Sequence, residues 1–138
     1  MKILQDTLRE EFGKRSIADV EMPKYFATSL NPMMKLRPYQ EECFKYFITY
    51  WKNDFDAKEL KPHLLFHMAT GSGKTLIMAG AMLYLYEQGY RNYLFFVDST
   101  NIIEKTKDNF LNTASAKYLF GQSINIGNKQ VEIRLVDN

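Results

Sequence analysis

The stretch Met68-Ala69-Thr70-Gly71-Ser72-Gly73-Lys74-Thr75 separates two apolar segments of different period. Before it, Leu64-Leu65-Phe66-His67-Met68 is too short for a helix, is bounded by turn residues and reads as a buried strand. After it, residues 75–88 are apolar on nearly every side and end at Gly89, which reads as a buried helix. A glycine loop between strand and helix is a phosphate cradle. Glycines let successive N–H groups turn toward one anion, and the helix start adds its positive dipole end. In that pattern Thr70, Gly71, Ser72 and Gly73 wrap the phosphates. Lys74 reaches the β- and γ-phosphates, and the Thr75 hydroxyl completes a Mg²⁺ shell. The strict pattern G-x-x-x-x-G-K-[ST] asks for glycine where Met68 stands, but Gly71, Gly73, Lys74 and Thr75 all fit it.

Working outward, Tyr93-Leu94-Phe95-Phe96-Val97 reads as a second buried strand, followed by Asp98-Ser99-Thr100. Asn101 is placed to cap the next helix, with Glu104 three residues on, and Ile102, Ile103, Thr106 and Phe110 form its apolar stripe. Toward the end, Ile124 and Ile126, then Gly127-Asn128-Lys129, then Val131, Ile133 and Leu135 predict a β-hairpin around a Gly-Asn turn. Upstream, Pro38 opens a helix whose stripe is Cys43, Phe47 and Tyr50/Trp51, and residues 53–62 read as a loop. Residues 1–13 carry a helical pattern stopped by Gly13, and residues 14–37, with Pro23 and Pro32, read as irregular. Strand, loop, helix, strand and helix open an α/β domain with a parallel sheet. The expected division is an N-terminal helical extension over 1–35 and a nucleotide-binding domain over 36–138.

With 138 residues, 46% hydrophobic and 14% aromatic, the chain has ample surface to bury, which excludes a disordered segment. A net charge of +2, spread along the chain, excludes a basic arm or an acidic tail. Cys43 is the only cysteine, so no internal disulfide and no cysteine-based zinc site exists. No signal peptide or membrane span is legible, and a cytoplasmic setting is expected. His63 and His67 lie on a strand-like segment, where a four-residue spacing does not make a metal pair. Met78, Met82 and the aromatics Phe44, Tyr46, Phe47, Tyr50 and Trp51 read as core filling.

A second signal is Leu36-Arg37-Pro38-Tyr39-Gln40. The carboxamide of Gln40 matches the N6 and N7 edge of adenine, although a glutamine at a helix start, taken alone, is more often simply solvated. Together, Arg37-Pro38-Tyr39-Gln40 and Ala69-Thr70-Gly71-Ser72-Gly73-Lys74-Thr75 resemble the Q motif and motif I of superfamily-2 helicases and translocases. Met68 to Thr75 and the run Phe96 to Lys105 are most similar to the restriction (Res) subunit of type III restriction–modification enzymes, over about residues 36 to 112.

The resemblance implies a partial RecA-like lobe that binds ATP and Mg²⁺, in a parent enzyme that moves on double-stranded DNA and partners a DNA methyltransferase (modification) subunit. Carried over by position, Gln40 reads adenine with support from Arg37, and Ser99 and Thr100 contact DNA phosphates. The usual Pro-Thr-Arg-type motif is absent at Ser99 and Thr100, and an N-cap role for Ser99 or Asn101 is the alternative. No Asp-Glu pair follows Thr75, so the group that holds Mg²⁺ and orients the attacking water is missing. The expectation is therefore an ATP-binding, non-hydrolysing N-terminal fragment of a restriction translocase. Two readings compete with it: a small phosphate-loop kinase with Asp98 on Mg²⁺, and a non-catalytic nucleotide-binding remnant.

Overall fold

A computed structural model describes residues 2–136, so the last two residues of the expected 36–138 domain lie outside the described residues. The elements in chain order are α1 (Leu4–Phe12), α2 (Lys14–Ala18), α3 (Phe26–Ser29), α4 (Pro38–Lys52), α5 (Lys74–Glu87), α6 (Thr100–Leu111), β1 (Ile124–Ile126) and β2 (Lys129–Val131). They divide into two compact units, one formed by residues up to 22 and 36–74, the other by 23–35 and from 75 onward.

In the first unit, Gly13 ends α1 at φ 83°, as its place in the sequence predicted. The segment after it is not irregular throughout: Ile17 seeds the short α2 by burying its side chain with Leu8 and Tyr50. Phe12, Tyr46, Trp51, Phe55 and Leu64 pack around those three. Pro38 occupies the first turn of α4, where its missing N–H costs nothing. The buried stripe of α4 runs through Phe44, Phe47, Ile48 and Tyr50, with Cys43 only half-buried, so it is rotated slightly from the expected one. Burial, with Glu42 adding to it, pushes the Cys43 thiol up to about 11.

In the second unit, α5 buries Leu76, Ile77, Ala79, Leu83 and Tyr84. Met78 is 41% exposed rather than core filling, one turn after the exposed Lys74 on α5. The helix α6 begins at Thr100 with Ser99 at the N-cap. Asn101 therefore lies inside the helix, since the Ser99 carbonyl already accepts the Ile102 and Ile103 N–H groups at 3.2 Å each. Phe110 of α6 meets Phe95 and Phe120, with ring centroids 5.3 and 5.7 Å apart. Ser29 in α3 is fully buried, donates to the Asn125 carbonyl at 3.2 Å and accepts the Asn125 N–H at 3.1 Å, tying α3 to β1.

The hairpin forms where it was expected. Ile124 pairs with Val131 and Ile126 with Lys129, around Gly127 and Asn128 at φ 57° and 62°. The ladder stops at Val131, before Ile133 and Leu135. The architecture is thus mixed helix and strand, but the expected parallel sheet does not form among the described residues. There the only ladder of two strands is this antiparallel pair, plus an isolated bridge between Leu30 and Phe120. Residues 64–68 and 93–97 join no ladder, and Leu65, Leu94 and Phe96 are exposed rather than buried as expected. A strand of a parallel sheet needs neighbours brought up by long crossovers, which no local turn supplies.

Candidate nucleotide phosphate site

The glycine loop is held by its own carbonyls and by the start of α4. The Ser72 N–H closes a turn onto the Ala69 carbonyl at 3.2 Å, and Gly71 and Gly73 take φ of 76° and 82°. A side chain at Gly73 would be strained by that φ and would collide with the Gln40 amide. The Lys74 ammonium curls back onto the loop, donating to the Met68 and Ala69 carbonyls at 2.9 and 3.0 Å. Position 68 thus contributes its carbonyl, which any residue supplies.

Gln40 is only 3% exposed, and its amide spans two backbone groups. Its Oε1 accepts the Arg37 N–H at 2.9 Å, satisfying an N–H at the start of α4, and its Nε2 donates to the Ser72 carbonyl at 3.0 Å. The Tyr39 hydroxyl donates to the same carbonyl at 2.8 Å and accepts from the Arg37 guanidinium at 3.0 Å. Arg37, Gln40, Gly71, Ser72, Gly73 and Lys74 therefore share one compact unit. Thr70 is exposed on the same loop. Thr75 follows in the chain, half-buried in the first turn of α5. Sequence reasoning assigned Tyr39 no role of its own, because nothing in its spacing separates it from a solvated aromatic at a helix start.

Three features of the loop suit a phosphate group. The space around Gly71 is open, with nothing within 4 Å of where a Cβ would stand. The Lys74 ammonium uses two of its three donors on loop carbonyls. The Ser72 hydroxyl is buried and has no hydrogen-bond partner among the described residues.

The other candidates lie elsewhere. Ser99 and Thr100 are exposed at the start of α6, and the Ser99 side chain makes no cap bond. Asp98 is exposed just before them. His63 lies 3.6 Å from Glu59, and no group of three metal-ligating side chains occurs among the described residues. No helix among them is long and apolar enough to cross a membrane.

Comparison with known proteins gives this geometry its setting. The family described as type III restriction enzyme, Res subunit, matches residues 33–136. The probable type III restriction-modification enzyme HindVIP Res subunit of Haemophilus influenzae is 37% identical over 136 residues, covering 92% of this chain. The chain spans 26% of that relative's length. No solved structure matches the chain. With three quarters of its length inside the family match and the motifs in place, the chain belongs to the Res-subunit family of type III restriction enzymes.

Proposed function

We propose that this chain is the ATP-binding part of a RecA-like lobe in an ATP-dependent DNA translocase of restriction. The observation that carries the reading is the convergence of the Lys74 ammonium and the Gln40 amide on one glycine loop. Thr70, Gly71, Ser72 and Gly73 would surround the phosphates, and Lys74 would exchange its loop carbonyls for phosphate oxygens. Thr75 would hold Mg²⁺, which when bound neutralises phosphate charge. Gln40 has spent one N–H and one lone pair, and a carboxamide keeps one of each. That remaining pair matches the N7 acceptor and N6 donor of adenine. Arg37 would support the base side of the pocket.

The parent enzyme would act on double-stranded DNA in the cytoplasm with a DNA methyltransferase subunit. Ser99 and Thr100, exposed at the start of α6, would touch DNA phosphates without reading sequence. Residues 36–138 would form the nucleotide-binding domain and 1–35 its extension. Because the sequence has no Asp-Glu pair after Thr75, the chain by itself is expected to bind ATP–Mg²⁺ without hydrolysing it.

Titration calorimetry with ATP–Mg²⁺, with phosphate release followed in parallel, tests this. Lys74→Ala should weaken binding about 10- to 100-fold, the size of a lost charge-assisted contact. Binding that ignores Lys74, or phosphate release by the wild-type chain, would overturn the reading.

A further inference from the structure

The Ser72 carbonyl is an acceptor with two lone pairs, and both have a donor: the Tyr39 hydroxyl at 2.8 Å and the Gln40 amide at 3.0 Å. The peptide that follows it is trans, as are all those among the described residues. In a trans peptide the N–H points opposite to the C=O. Holding the Ser72 carbonyl toward α4 therefore turns the Gly73 N–H away from α4. That N–H has no backbone acceptor among the described residues. Rotating the peptide to hide it would break both bonds at once. The Arg37 guanidinium, 3.0 Å from the Tyr39 oxygen, polarises the hydroxyl and makes it a stronger donor to Ser72.

We propose that Tyr39 is a positioning residue of the phosphate site, holding the Ser72–Gly73 peptide so that the Gly73 N–H faces a bound phosphate. The proposal rests on the nucleotide-binding reading and deepens it. Tyr39 acts through the peptide and touches neither base nor phosphate, because both the donor and an acceptor position of its hydroxyl are already engaged within the protein. Gln40 alone would leave the peptide on a single bond, free to rock about it. The second donor removes that freedom before any ligand arrives, which is preorganisation in the ordinary sense.

The test is Tyr39→Phe in the full chain, which keeps the ring and removes only the hydroxyl. In the nucleotide-free protein, the amide resonance of Gly73 should move while those of α1 and the hairpin stay in place, showing that the variant is folded. Affinities for ATP–Mg²⁺ and for Mg²⁺-tripolyphosphate should fall by the same factor, about five-fold for one neutral hydrogen bond, and that for adenosine should not change. An unmoved Gly73 resonance overturns the proposal. So does a loss seen with adenosine, or with ATP but not with tripolyphosphate, since Tyr39 would then touch the base. A wild-type chain that binds neither phosphate ligand instead overturns the nucleotide reading, and the Gly73 resonance still decides the peptide clamp.

Discussion

Two stretches of the second compact unit read as strands in the sequence, one by alternation and one as an unbroken apolar run, and they end up in opposite states. Residues 124–131 close into a hairpin that buries Ile124 and Ile126. Residues 93–97 join no ladder, with Phe95 against Phe110 while Leu94 and Phe96 are 83% and 88% exposed. The hairpin finds its partner two residues away, through a Gly-Asn turn whose positive φ angles match the twist of the strands. The run 93–97 is apolar at every position, and a parallel neighbour that could cover it is a long-range partner that no local turn delivers. The run 64–68 behaves alike within the first unit, with Leu64 on the core, Phe66 near Phe47 and Leu65 91% exposed. A turn between two strands thus delivers their pairing, whereas an apolar run without one depends on what else is near.

The largest test of this contrast is a matched pair of phenylalanine truncations. Phe120, buried beside the hairpin and bridged to Leu30, should cost about 3–5 kcal/mol when changed to alanine. Phe96→Ala should stay within about 0.5 kcal/mol, since its ring is already in solvent. Urea unfolding of the two variants measures both, and equal losses would show that residues 93–97 are covered in solution.

A smaller effect is expected from Ser29→Ala, which strips the Asn125 N–H and carbonyl of their shared partner and should cost about 1–3 kcal/mol. Faster amide exchange at Asn125 would report the same loss locally. If stability and exchange are both unchanged, the hairpin stands without α3.

Smallest is Asn128→Val, which puts a β-branched side chain at φ 62° and should cost about 1–2 kcal/mol while leaving Asn128→Gly nearly neutral. Equal stability of the two variants, read from thermal melts, would mean that strand pairing rather than the turn sets the register.

Much of the helical order was legible in advance, because its signals are local. Gly13 as a stop, Pro38 as a start and the apolar stretch after Lys74 each act within one turn of chain. The boundaries that moved did so for tertiary or backbone reasons. Ile17 gained a short helix by joining Leu8 and Tyr50, and Ser99 displaced Asn101 as the cap because its carbonyl was already in place. At the candidate site the same division holds. Gly71, Gly73 and Lys74 announce themselves by type and spacing, while the part taken by Tyr39 does not.

The sequence by itself determined the family, the glycine loop with its lysine, and the hairpin with its Gly-Asn turn, since each is written in residues adjacent or nearly adjacent in the chain. Only the tertiary structure decided that Tyr39 and Gln40 converge on the Ser72 carbonyl, more than thirty residues away in the chain. It also decided that the two apolar runs carry no ladder among the described residues. The physical reason is common to both. A hydrogen-bond partner far along the chain is chosen by the packing that brings two segments together, and no local conformational preference names it.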